Sequence, residues 1–350
     1  MQRNRAVTGG VMNVLFDHQF LESGTYEEKR YFDGLIGALK DMSKEDRILF
    51  PEKYSDKNNA ISRISNDIVL RKALSQGADT LHITGDRPRN LKRMKEMSGI
   101  KKVITIGSLL PEEGFMNISE ERKKLIDMAD GIIFTSKAVQ ERFGHFYPGT
   151  LKKSTVIFPG YSESVPKEID TEVPYFLYVG DRERQDNFAI VMDAFTQVHR
   201  NFPTFTLVCA GGKEFTGSEM ARFRVMEYEN NIVHVSPSKE ELIWLIQNAT
   251  CLIYPPLTGM IGTQVIDARR NGCAIILSDI PSNHEIAGES AVFFDPADPE
   301  ELAEKMMDMI MNWEEHSETD EGVLSWADAA GQMLKFYRSF FENVVQFPKN

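Results

Sequence analysis

The sequence predicts an α/β fold built as two successive parallel-sheet halves, and three observations predict it. Short apolar, β-branched runs alternate with longer amphipathic stretches, the pattern of repeated βαβ units. The alternation breaks once, at a polar segment with two prolines, and then starts again. The chain has 350 residues, beyond the ~100–200 of a single domain.

In the first half, candidate strands run over 11–16, 80–83, 102–106, 131–135 and 155–158, with helical stretches over 29–41, 66–76 and 119–129. In the last of these Leu125, Ile126, Met128 and Ala129 fall near one face, behind Ser119 and an acidic first turn, as a helix start requires. The segment SESVPKEIDTEVP, 162–174, has no sustained period and reads as the inter-domain linker. A second series of strands follows at 175–179, 206–209, 232–235, 251–254, 274–277 and 291–294, with helices over 189–200, 239–248, 264–270 and 299–312. Trp326, Met333, Leu334, Tyr337 and Phe341 recur at near-helical spacing in a final helix over 324–345, which Asp328, Lys335, Arg338 and Glu342 keep from being membrane-spanning. These patterns divide the chain into domains at 1–165 and 166–324, with 325–350 packing back on the first.

Composition narrows the function. Forty Lys and Arg against 52 Asp and Glu give a formal charge of −12, which excludes a generic nucleic-acid binder, whose affinity rests on cations neutralising phosphates. Cys209, Cys251 and Cys273 sit singly in or beside apolar runs, so they read as buried, reduced thiols rather than metal ligands. No apolar run approaches the ~20 residues needed to cross a bilayer. The opening MQRNRAVTGGV is basic but lacks the apolar stretch of a signal peptide, so a cytoplasmic location is expected.

Three segments of the second half resemble the donor-binding domain of family 4 of the retaining glycosyltransferases. In YFLYVGDRERQDNFAIVMDAF, 175–195, the resemblance implies a loop offering an Arg and a Lys to a sugar-nucleotide diphosphate. Arg182 matches the Arg, whereas Asp186 stands at the Lys position. YPPLTGMIGTQVIDARRNGCAIILSD, 254–279, resembles without a gap the stretch holding a Glu, seven residues and a second Glu. There Gly259 replaces the Glu beside the transferred sugar, and Asp267 replaces the Glu that bonds the ribose. A Gly turn before a helix suits an anion, because backbone N–H groups and the helix dipole both favour negative charge. Gly262, Thr263 and Gln264 are therefore expected near the phosphates. NHEIAGESAVFFDPADPEELAEKM, 283–306, follows the family through Glu285, Gly288, Asp295 and Pro296, which report fold, while His284 is a candidate contact for the donor sugar.

The first half resembles the family more weakly. In NVLFDHQFLESGTYEEKRYFDGLIGAL, 13–39, Glu28 and Lys29 replace a glycine pair before Arg30, Tyr31 and Phe32. Gly107 and Ser108 take the place of a His-Asp pair in ITIGSLLPEEGF, 104–115. The resemblance implies a GT-B architecture: two Rossmann-like domains face each other across a cleft, and a C-terminal helix crosses back to the first. It also implies a glycosyltransferase moving sugar from a UDP- or GDP-sugar to an acceptor hydroxyl, in glycan or polysaccharide biosynthesis. Arg182, Lys213, Gly262, Thr263, Gln264, Asp267 and His284 would hold the donor. Arg30, Tyr31, Gly107 and Ser108 would face the acceptor, and His18 and Arg182 are the catalytic candidates. Transfer would retain anomeric configuration without metal or cofactor, the nucleotide-sugar being a substrate. The acceptor would be a glycan, lipid or small molecule, and the reading leaves room for peripheral membrane association and a partner transferase. Because Asp186, Gly259, Gly107 and Glu28 all depart from the family, a second reading stands beside the first: a catalytically degenerate GT-B homologue acting as a binding or partner subunit.

Overall fold

The computed structural model describes residues 12–17, 24–42, 47–49, 60–84, 99–109, 114, 120–169 and 174–342. Within these the chain forms two six-stranded parallel sheets. The first contains β1 (Asn13–Asp17), β2 (Arg47–Leu49), β3 (Thr80–Ile83), β4 (Lys101–Ile106), β5 (Gly131–Phe134) and β6 (Ser154–Val156), in the order β2-β1-β3-β4-β5-β6. The second contains β7 (Tyr175–Val179), β8 (Thr206–Ala210), β9 (Ile232–Val235), β10 (Cys251–Tyr254), β11 (Ile275–Ser278) and β12 (Val292–Phe294), in the order β12-β11-β10-β7-β8-β9. Central strands such as Gly131–Phe134 and Tyr175–Val179 are buried throughout, so they read as continuous apolar runs and not as alternating ones.

Helices complete the crossovers. In chain order they are α1 (Tyr26–Met42), α2 (Ala60–Leu74), α3 (Glu120–Met128), α4 (Lys137–Phe146), α5 (Phe188–Asn201), α6 (Gly217–Val225), α7 (Lys239–Asn248), α8 (Thr263–Arg270), α9 (Pro281–Ile286), α10 (Pro299–Asn312) and α11 (Trp326–Glu342). The expected elements are present, with ends shifted by a few residues, and β2, α4, α6 and α9 are additional. The α1 helix begins at Tyr26, three residues before its expected start, because Thr25 and Glu28 form a reciprocal capping box: Glu28 N donates to Thr25 Oγ1 at 3.1 Å and Thr25 N to Glu28 Oε2 at 2.9 Å. That one cap decides where the next residue, Glu27, points.

The C-terminal helix crosses back onto the first domain. Trp326 lies over α1 at Gly34, where an added Cβ would sit 2.3 Å from the indole, and it meets Tyr31 edge-on at 5.5 Å. Tyr337 hydrogen-bonds the buried His82, whose Nε2 pairs with Thr105 Oγ1 at 2.8 Å. Full burial of one such large side chain stabilises by about 2 kcal/mol, enough for this helix to act as a strap. Cys209, Cys251 and Cys273 are buried and unbridged. Among the described residues no helix is long and apolar enough to cross a membrane.

Strand order reverses between β1 and β3 in one sheet and between β7 and β10 in the other. At such switch points the loops diverge and open a crevice at the carboxyl ends of the strands. The two crevices face each other, and the candidate site lies between them.

Candidate active site

The site is built around the head of α8. Gly262 caps this helix in the left-handed region, φ 71°, with no side-chain cap, and a Cβ there would meet Ile286 Cδ1 at 2.2 Å. Only glycine combines that conformation with that proximity. At this turn a side chain of the other domain takes up one backbone N–H and one side-chain amide. Glu27, from the first turn of α1, accepts from Ile261 N at 3.1 Å and from Gln264 Nε2 at 2.5 Å. Gln264 also donates to Val179 O at 3.2 Å, tying the turn to the tip of β7. Burial pushes the Glu27 carboxyl above its usual range, and the hydrogen bonds from Gln264 and Ile261 pull it part of the way back.

One helical turn further along α1, Arg30 pairs with Asp267 of α8, whose side chain is 1% exposed. Asp267 also accepts from Ser162 N at 2.7 Å, so both of its oxygens are engaged within the chain. Its carboxyl is raised by burial and lowered by Arg30. Beside them Tyr26 N donates to Asp181 Oδ2 at 2.7 Å, and the Tyr26 ring packs over Gly211. The start of α1 therefore inserts as a plug into the crevice of the second domain.

The opposite flank of the cleft is closed in the same manner. Glu285 on α9 accepts from Lys137 N at 2.7 Å and Ala138 N at 2.5 Å, the first two amides of α4. Apolar contacts fill the space between. Ile261 leaves its own domain to join the core of the first, with Phe32, Ile133 and Trp326. A Cβ on Gly107 would lie 2.7 Å from Ile261, and one on Gly259 would lie 2.8 Å from Val139 of α4. A His at 107 or a Glu at 259 has no room while the domains sit this close.

What remains open is uneven. Between Glu27, Asp181, Asp186, Tyr178, Tyr254 and Gln264 the cavity is about 10 Å³, room for at most one water. A cavity of about 370 Å³ lies alongside, lined by Lys29, Arg30 and Asp33 of α1 and by Ser238, Lys239 and Leu242 at the start of α7. A third, of about 360 Å³, is mainly apolar, with Leu109, Val139, Leu257, Ile280 and Pro281 facing Arg142 and Gly259.

Residues 162–323 match the family described as Glycosyl transferases group 1. Among solved structures, a sucrose-phosphate synthase from Thermosynechococcus elongatus superimposes with a TM-score of 0.72 at 16% identity, covering 95% of this chain and 100% of that one. A glycosyltransferase from Rickettsia africae gives 0.67 at 16% identity, with 95% and 99% covered. HepE of Anabaena, solved with UDP and glucose, gives 0.64 at 12% identity, with the same coverage. No curated protein sequence matches the chain. The chain has the GT-B fold.

Measured against that GT-B frame, the sequence-predicted residues separate into two groups. Arg30, Gly262, Thr263, Gln264 and Asp267 come together at the head of α8, as do the departures Glu28 and Asp186 nearby. Gly107 lies against Ile261 at the same turn, and the others do not join them. Arg182, expected at the diphosphate, has its side chain 6% exposed and paired with Glu219 at 3.0 Å, between the Phe188 and Phe215 rings. A second guanidinium nitrogen donates to Lys213 O. The apolar walls and Glu219 fix this cation inside its own domain, while the Lys213 side chain is exposed. Tyr31, expected toward the acceptor, is fully buried, because it shares the inner α1 face with Leu35 and packs under Trp326. His284 lies on the surface, stacked on Phe293 at 4.0 Å and bonded to Asp279 at 2.6 Å. It is the next residue, Glu285, that reaches across the cleft. Ser108 is half-buried after β4, and His18 lies outside the described residues.

Asp186 closes the second domain's loop. It caps the short 3₁₀ turn Arg184–Asp186 by accepting from Glu183 N at 2.9 Å. Burial, then the nearby Glu27 carboxylate, raises its pKa to about 7. Sequence reasoning missed Glu27, Tyr26 and Asp181. The one local signal was Thr25-x-x-Glu28, a capping-box spacing that moves the helix start upstream and carries Glu27 into the cleft.

Proposed function

We propose that the chain is a glycosyltransferase that takes a nucleoside-diphosphate sugar, UDP- or GDP-linked, in its second domain and an acceptor hydroxyl in the first. The observation that carries this reading is that the turn at the head of α8 already binds an oxyanion. Ile261 N–H and Gln264 Nε2–H₂ hold a carboxylate, and phosphate oxygens make the same demand on the same donors. The 370 Å³ cavity beside Asp267, with Lys29, Arg30 and Lys239, offers space and positive charge for the rest of a nucleotide. The UDP and glucose held by HepE support uridine among the bases to be tried.

On this reading the bond from the anomeric carbon to the diphosphate breaks, and the acceptor oxygen bonds to that carbon on the same face. The acceptor proton passes to the leaving diphosphate, with no metal required. The protein's part is positioning and the stabilisation of developing charge by amide donors and cations in a cleft that excludes water. The apolar cavity at Gly259 and Arg142 is the proposed acceptor side, suited to a lipid-linked or glycan acceptor in polysaccharide assembly. Buried free thiols suit a reducing cytoplasm. The proposed division into domains is 1–165 with the returning 325–350, and 166–324.

A second reading has its own observation. Among the described residues, the small cavity at the phosphate turn is lined by Glu27, Asp181 and Asp186 and by no cation, which favours a non-catalytic partner subunit. A thermal-shift screen with UDP, GDP, ADP and their sugars separates the readings. A donor at ~100 times its dissociation constant stabilises by about 2.7 kcal/mol. The transferase reading expects such a shift with one nucleotide, followed by slow hydrolysis of its sugar. A flat response to every nucleotide leaves the partner-subunit reading.

A further inference from the structure

Four departures from the family pattern, at Glu28, Gly107, Asp186 and Gly259, look unrelated in sequence and share one physical setting in the fold. Glu28 makes the capping box that starts α1 early and presents Glu27 to the turn at Ile261 and Gln264. Gly107 leaves the volume that Ile261 fills, and Gly259 leaves the volume that Val139 fills. Asp186 stands where a cation would hold a phosphate and instead faces the same small cavity as Glu27. Together they close the cleft around a carboxylate of the chain itself. The Tyr254 hydroxyl is buried beside the same carboxylate.

We propose that Glu27 is an intramolecular stand-in for a donor phosphate: its carboxylate holds the turn at the head of α8, and a nucleoside diphosphate reaches that turn only by displacing it. The inference rests on the donor reading above and assigns to Glu27 the control of donor affinity. Three things follow from the geometry. Glu27 and a phosphate oxygen need the same two donors, so their occupancy is mutually exclusive. Displacing Glu27 means withdrawing the start of α1, which also loosens Arg30 from Asp267 and Tyr26 from Asp181. The state that accepts a donor is thus an opened form of the cleft, and apparent affinity is reduced by the fraction of molecules in that form.

The test is calorimetric titration of UDP and GDP into the full chain and into Glu27→Gln and Glu27→Ala. Glutamine keeps the size of the side chain and removes its charge, so at least one variant keeps the fold; melting curves verify it. If the competent form of the wild type is about one molecule in ten, either variant binds the nucleotide about tenfold more tightly, with Glu27→Ala the tighter of the two. Equal affinity in wild type and both folded variants overturns the inference and leaves the donor reading standing. Weaker binding by the variants also overturns it, because Glu27 would then assist the donor. Binding of neither nucleotide by any of the three proteins overturns the donor reading and the inference with it.

Discussion

The cleft contains one device built twice, to different depths. On one flank Glu27 crosses from the first domain to the head of α8. On the other Glu285 crosses from the second domain to the head of α4. The chemistry is shared: two N–H donors and a helix dipole receive a carboxylate. The surroundings are not. Glu27 is 5% exposed, its helix has no side chain of its own at the cap, and Asp186 and Asp181 share its small cavity. Glu285 is partly exposed, and its helix already has Ser136 Oγ accepting from Val139 N at 3.1 Å. Burial turns the first into a lock that carries a desolvation cost, while the second is a surface latch that water could replace. Where a carboxylate is held, more than what holds it, decides how strongly the domains depend on it.

The largest effect should come from the ion pair behind the lock. Arg30→Ala leaves Asp267 buried without its paired cation, and loss of one member of a buried pair typically costs about 3 kcal/mol or more. The deficit should shrink toward acid pH, because an unpaired Asp267 takes up a proton more readily and its buried charge disappears. Denaturant melts of wild type and Arg30→Ala at alkaline and acid pH measure this. An equal deficit at both would place the loss in packing and not in charge.

Asp186 sharpens the contrast from the other direction. Its pKa is raised to about 7 in the folded chain, against an unfolded value near 4. Between about pH 4 and 7 the folded form keeps a proton that the unfolded form has released, so stability falls as pH rises through this window and levels off above it. Asp186→Asn preserves an acceptor for Glu183 N and removes the titration. The variant should therefore melt higher than wild type at pH 8 and match it near pH 4. His82 acts in the opposite sense. Burial lowers its pKa to about 3, so below about pH 6.5 the unfolded form binds the proton that the folded form refuses, and stability is lost on acidification. The Asp186 comparison must accordingly be read as a difference between variant and wild type.

How much of this was legible in the sequence follows from how local each signal is. Strands at Tyr175–Val179, Ile232–Val235 and Cys251–Tyr254 and the helices at Lys239–Asn248 and Pro299–Asn312 were readable to the residue, because apolar runs, turns and caps are local. The α6 helix was not read, since Phe223 is its single buried hydrophobic and leaves no apolar stripe, although its Thr216-x-x-Glu219 capping box was in plain view. At the site, the glycine turn and Asp267 could be placed by register with a family. The partners they found could not. Glu27 meets Gln264 across 237 positions, and Arg182 turned inward because Phe188 of α5, Glu219 of α6 and Phe215 in the loop before α6 converge on it. Register marks which positions should carry chemistry, while which side chain occupies the space is settled by packing between distant segments.

The smallest expected effect tests the shallow half of the comparison. Glu285→Ala removes the carboxylate from the head of α4, but the amides of Lys137 and Ala138 stay within reach of water and Ser136 continues to cap Val139 N. A carboxylate at an exposed helix N-terminus contributes about 0.3–1 kcal/mol, screened by salt. The variant should thus melt only slightly lower than wild type at low ionic strength and converge with it in high salt. Glu27→Gln, on the buried flank, should show little dependence on salt. If Glu285→Ala proves as costly as Arg30→Ala, the surface latch is carrying the domain contact, and depth of burial is not what separates the two flanks.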